Sequence, residues 1–131
     1  MSVEYVFLEQ AGYLLVKPKG EIQSHEEMTE HARVVINEAK ARTLERILIK
    51  GDGLVIRLTA YDTVAFAKMM ERMGLAWKGL RIATISTAQN EEARGFIETT
   101  LTNRGVGYKT FRNEEDALEW LGVQDAIESS P

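Results

Sequence analysis

The sequence predicts one α/β domain with a mixed, mostly parallel sheet of about five strands flanked by helices, in the order β-β-α-β-α-β-α-β-α. Three observations predict it. RILIK (46–50) and RIATIS (81–86) are short, unbroken apolar runs rich in β-branched residues, as in strands buried on both faces. Segments with apolar residues at helical spacing lie between and after them. VEYVFLE (3–9) and YLLVK (13–17), separated by Gln10-Ala11-Gly12, form an opening antiparallel hairpin.

Each element has a local reason. Pro18 is expected to end the second strand, because proline cannot donate to a ladder. Ser24 followed by Glu27 is a capping box, and Met28, Ala32, Val35 and Ala39 carry that helix to about residue 41. A second helix is expected from Thr59 to Met73, with Gly74 as its stop. A third spans 90–104, with Thr87 as its cap, Ala93, Phe96, Ile97, Thr100 and Leu101 toward one side, and Gly105 beyond. YKTF (108–111) is the last strand. Asn113 caps a final helix whose first turn carries Glu114, Glu115 and Asp116, where acid meets the helix dipole favourably. The core covers about 3–122, and 123–131 reads as a tail.

Composition narrows the function. A chain of 131 residues can bury its own core without a disulfide or metal staple. With no cysteine, thiol catalysis and Cys-type zinc sites are excluded. The net charge of −4 and scattered basic residues argue against a nucleic-acid partner. No apolar run is long enough to span a bilayer, and the first ten residues lack the pattern of a signal peptide, so a cytoplasmic location is expected.

The informative stretch is KGDGLVIRLTAYD (50–62). Gly51-Asp52-Gly53 reads as the exit of a central strand, or as a backbone nest for an anion. The P-loop pattern is missing. Thr59 with Asp62 three residues on matches an N-cap, and Thr59 is equally a candidate phosphoacceptor, with Thr63 one turn beyond. Phe66, Met69, Met70 and Met73 fall within about 100° of one helical face, with Trp77 following. Such a stripe is either the core face of the helix or a soft surface for a partner or an apolar ligand. Val64 and Ala67 lie toward the opposite side. His25 and His31 point about 120° apart on the first helix, which does not suit a shared metal, and Glu27 is placed to pair with His31 across one turn. No nucleophile elbow is present, and no catalytic residue, metal or cofactor is nominated.

The order of elements, together with EYVFLEQAGYLLVKPKGEI at the start and RGVGYKTFRNEEDALEWL (104–121) at the end, resembles the STAS or SpoIIAA-like superfamily. The resemblance implies a non-catalytic module that binds a regulatory protein partner. In the sporulation type, a serine in an Asp-Ser-Ser-Gly motif after the third strand is phosphorylated. Here Leu58-Thr59-Ala60-Tyr61 stands in that place and the motif is absent. A branch likened to the CRAL-TRIO lipid-binding fold also lacks the motif and implies a small apolar ligand such as a fatty acid. The resemblance leaves room for a homodimer through the second helix and for a partner surface across 52–73.

Overall fold

The computed structural model describes residues 3–73, 78–87 and 90–123. Its elements are β1 (Glu4–Gln10), β2 (Tyr13–Ile22), α1 (His25–Ala41), β3 (Arg46–Lys50), β4 (Leu54–Ile56), α2 (Ala60–Arg72), β5 (Arg81–Ile85), α3 (Glu91–Thr102), β6 (Tyr108–Phe111) and α4 (Glu114–Leu121). The sheet runs β1-β2-β3-β5-β6, with β1 antiparallel to β2 and the other pairs parallel. This is the expected mixed sheet, with one strand added.

The added strand is β4, and it corrects the reading of Pro18. β2 does not stop there but continues to Ile22. Leu14, Leu15 and Val16 pair with β3, while Gly20, Glu21 and Ile22 pair with β4. Pro18 falls in the gap between these two ladders, where its missing N–H costs no parallel hydrogen bond. The gap is filled by a single 3₁₀ turn, Gly51–Gly53. A Cβ on Gly53 would lie 2.8 Å from the Pro18 carbonyl oxygen, so only glycine fits without moving backbone.

The far edge of β4 is closed by a side chain. Asn90 is buried; its amide nitrogen donates to the Leu54 carbonyl and its oxygen accepts from the Ile56 N–H at 3.2 Å. Asn90 was expected to open the third helix. It does stand at its N-terminus, but its side chain serves the strand instead of the cap. Thr87, expected to be the cap, contributes its carbonyl to the Asn90 N–H. Gly74 lies outside the described residues.

Period-two alternation sends the strand side chains to two cores. Leu14, Val16, Ile47, Ile49, Ile82 and Tyr108 meet α1, α2 and α3 on one face. Tyr13, Leu15, Leu48 and Ala83 meet Ala117, Leu118 and Leu121 of α4 on the other. Within α3 the buried stripe is Arg94, Ile97, Thr100 and Leu101; Phe96, expected on it, sits at its edge and is 44% exposed. In α2 the buried residues are Thr63, Phe66, Ala67 and Met70. Ala67 therefore faces inward, contrary to expectation, because the helix packs against both α1 and α3.

Two substitutions test this arrangement by urea unfolding. Gly53→Ala forces the Pro18 carbonyl aside and should destabilise by about 1–3 kcal/mol. Asn90→Ala strips a donor and an acceptor from buried backbone and should cost about 2–4 kcal/mol. Wild-type stability in both would contradict the split ladder.

Candidate functional site

The site grows from the junction between β4 and α2. Thr59 ends the extended chain and caps α2 in a complete capping box. Its hydroxyl accepts from the Asp62 N–H at 3.1 Å and donates to Asp62 Oδ2 at 2.9 Å, while the Thr59 N–H donates to the same carboxylate at 3.3 Å. Thr63 Oγ1 donates back to the Thr59 carbonyl at 3.2 Å. The second carboxylate oxygen of Asp62 receives His25 Nδ1 at 3.2 Å, which ties the start of α1 to the start of α2. Because an ionised carboxylate only accepts, the imidazole proton at this contact sits on Nδ1. Tyr61 stands edge-on to the His25 ring, with centroids 6.2 Å apart, and is 75% exposed. An aromatic ring so placed is held by its neighbours yet open to solvent.

Electrostatics supports the assignment of protons. Partial burial would raise the Asp62 pKa, but hydrogen bonds from His25 and Thr59 outweigh it and hold the carboxyl below its ordinary value. The second histidine is different. His31 is buried against the core, stacked on Tyr5, and its Nδ1 shares a 2.9 Å hydrogen bond with the Tyr5 hydroxyl. Burial first, and the nearby Arg94 charge second, push His31 down to about 3. Burial, with a smaller contribution from Glu30, pushes Tyr5 up to about 12. Both groups of this pair are neutral at ordinary pH.

The nominated residues separate. Thr59 and Thr63 come together at the cap, with Thr63 buried and Thr59 exposed. Asp52 stands exposed on the 3₁₀ turn. Phe66 and Met70 are buried in the core, at 2% and 1% exposure, so neither reaches the surface. Met69 and Met73 are half-buried, Met73 packing against the same core. Trp77 lies outside the described residues. His25 and His31 share no ligand, and among the described residues no group of three metal-ligating side chains could hold an ion. Glu27 does not pair with His31; it folds back to accept from the Gln23 N–H at 2.7 Å as part of the cap of α1, while His31 turns into the core.

Sequence reasoning missed Tyr61 and the His25–Asp62 contact, which joins residues 37 apart and leaves no local signal. It also missed Arg94. Here a signal existed, since Arg94 precedes Ile97 and Leu101 by three and seven residues and so lies on the apolar stripe.

Two measurements check this site. Thr59→Ala removes a cap and should cost about 1 kcal/mol in urea unfolding. The second is pH. Unfolded chains protonate His31 below about 6.5, whereas the folded protein resists down to about 3, so the unfolded state binds more protons and stability falls as pH drops through that window. From pH 7 to pH 5 the loss should be roughly 2 kcal/mol. Asp62 does not contribute to it, because its depressed pKa stabilises above the ordinary carboxylate value and is lost only at lower pH. A His31→Leu variant should lose most of that slope; an unchanged slope would refute the burial of a neutral imidazole.

No family model matches the chain, and no curated protein matches it. Solved structures do. An uncharacterized protein with a SpoIIAA-like fold from Shewanella loihica is 22% identical, with 91% of this chain and 93% of that chain covered and a TM-score of 0.50. An anti-sigma factor antagonist from Mycobacterium paratuberculosis is 16% identical, with 92% and 95% covered and a TM-score of 0.55. The match covers most of the chain in both cases, and the chain has a STAS/SpoIIAA-like fold.

Proposed function

We propose that this chain is a non-catalytic regulatory module that binds a protein partner through the surface at the start of α2. The observation that carries the reading is Tyr61, 75% exposed and backed by the His25–Asp62–Thr59 cluster. Exposed aromatic residues held by a rigid base are the usual anchors of protein interfaces. Val64, one turn on and 38% exposed, extends the apolar surface. The fold adds support, since an anti-sigma factor antagonist, a regulator by its name, is built on it. Fold alone does not determine function, so the surface residues carry the argument.

The reading includes no phosphoswitch. The Thr59 hydroxyl is engaged in the cap, and a phosphate there would meet the Asp62 carboxylate. It also moves the expected contact surface. Phe66 and Met70 are buried, so of the stripe of residues 66–73 only the half-buried Met69 and Met73 reach the surface.

The test begins with native capture by the tagged chain and continues with titration of the purified partner. Tyr61→Arg should weaken binding by at least about tenfold, while Phe96→Arg, an exposed aromatic site on α3, should not. Equal affinity for wild type and Tyr61→Arg would remove the junction from the interface.

A further inference from the structure

The sheet ends on β1 and β6, and β4 adds a further edge. Two of these edges are closed by a side chain. Asn90 bonds Leu54 and Ile56 along β4. On β6 the Glu98 carboxylate accepts from both the Thr110 N–H and the Thr110 hydroxyl, the latter at 2.8 Å.

β1 has no such cover. Gln10 and Tyr13 are the last pair of its hairpin with β2, and a two-residue loop closes on a hydrogen-bonded pair. Alternation then turns the N–H and C=O groups of Glu4, Val6, Leu8 and Gln10 toward β2. Those of Tyr5, Phe7 and Glu9 point to the open edge. Among the described residues, no turn or loop backbone bonds these outward groups, and Tyr5 and Glu9 make their other contacts through side chains. Exposed edges are ordinarily guarded by lysine, proline, a bulge or an inward charge. β1 pairs with β2 without a bulge, and its acids stand only toward its two ends. Tyr5 and Phe7 lean on the larger core, while Val6 and Leu8, on the opposite face, are 52% and 40% exposed.

This edge is complementary to itself. Two β1 strands running antiparallel about a two-fold axis at Phe7 use all seven residues. Tyr5 then lies against the partner's Glu9, and Phe7 against the partner's Phe7. These are the residues with outward backbone groups, so each such pair exchanges two hydrogen bonds. On the exposed face, Val6 lies against the partner's Leu8 and Glu4 against the partner's Gln10. Apolar side chains cover each other, and no acid faces an acid. Other registers lose this match. An axis at Val6 sets Glu4 against the partner's Leu8, and an axis at Leu8 sets Val6 against the partner's Gln10; each leaves two residues of the strand unpaired.

We propose that the open edge of β1 is a homodimer interface, in which two copies join their sheets antiparallel about Phe7. No residue of α2 takes part, so this is not the dimer through the second helix, and it rests on none of the residues around Tyr61. An edge of seven residues is about 23 Å long, a small interface, so the dimer is of micromolar strength.

The test is sedimentation equilibrium of the full chain from about 1 to 500 μM, with amide hydrogen exchange read at both ends of that range. The mass should rise from one chain to two with a Kd of about 1–100 μM. The amides of Tyr5, Phe7 and Glu9 should gain protection as concentration rises, while those of Val6 and Leu8, already bonded to β2, should not change. Val6→Glu sets a carboxylate against the partner's Leu8 but faces Lys17 within its own sheet, so it keeps the fold and should raise Kd at least about tenfold. Glu9→Pro deletes an outward N–H without removing a bond to β2, and should weaken the dimer comparably. A mass of one chain at about 500 μM would overturn the proposal. So would a dimer indifferent to both variants. Protection of the three amides that is independent of concentration would also overturn it, and would place another segment of the same chain on the edge.

Discussion

The rest of the structure depends on one constraint: β2 must serve two parallel partners in succession. It pairs with β3 over residues 14–16 and with β4 over 20–22, and the chain crosses between them in the three residues Gly51–Gly53. The crossing is possible because Pro18 needs no partner there and Gly53 can press against the Pro18 carbonyl. The candidate surface follows. Downstream, β4 delivers Thr59 to the start of α2 and so brings Asp62 to His25 and holds Tyr61 outward. At the turn itself, Gly51 packs so closely on β5 that a Cβ would lie 3.0 Å from the Ile85 carbonyl oxygen.

The core on this side is unusually polar for its depth. His31, Thr84, Asn90 and Arg94 are all buried. Asn90 is satisfied by the edge of β4 and His31 by Tyr5, so their burial is offset by hydrogen bonds. Arg94 is tied by Nη1 to the Tyr108 hydroxyl, while its Nε and Nη2 and the Thr84 hydroxyl have no hydrogen-bond partner among the described residues.

Much of the fold was legible because it is written in local patterns. The caps at Ser24, Thr59 and Asn113 are where the sequence places them, each accepting from the N–H three residues on. The central strands read as unbroken apolar runs and are buried on both faces. β4 was not legible: three residues, Leu-Val-Ile, make a strand only because β2 runs past Pro18 to meet them. The face of α2 was misread at Ala67, since a helix packed against two other helices buries a broader arc than its largest side chains mark. The candidate site was legible as a place and not as a set of residues. Thr59 was readable from its cap, whereas Tyr61 matters through His25, and that contact spans two helices.

The measurement that bears most directly on the account is mapping of the purified partner onto this chain by backbone amide NMR shifts. The account predicts that the largest changes fall at residues 57–64 and at the start of α1 around His25, with the far face under α4 undisturbed. Changes centred on β6 and α4 instead would contradict it and place the working surface on the opposite side of the sheet.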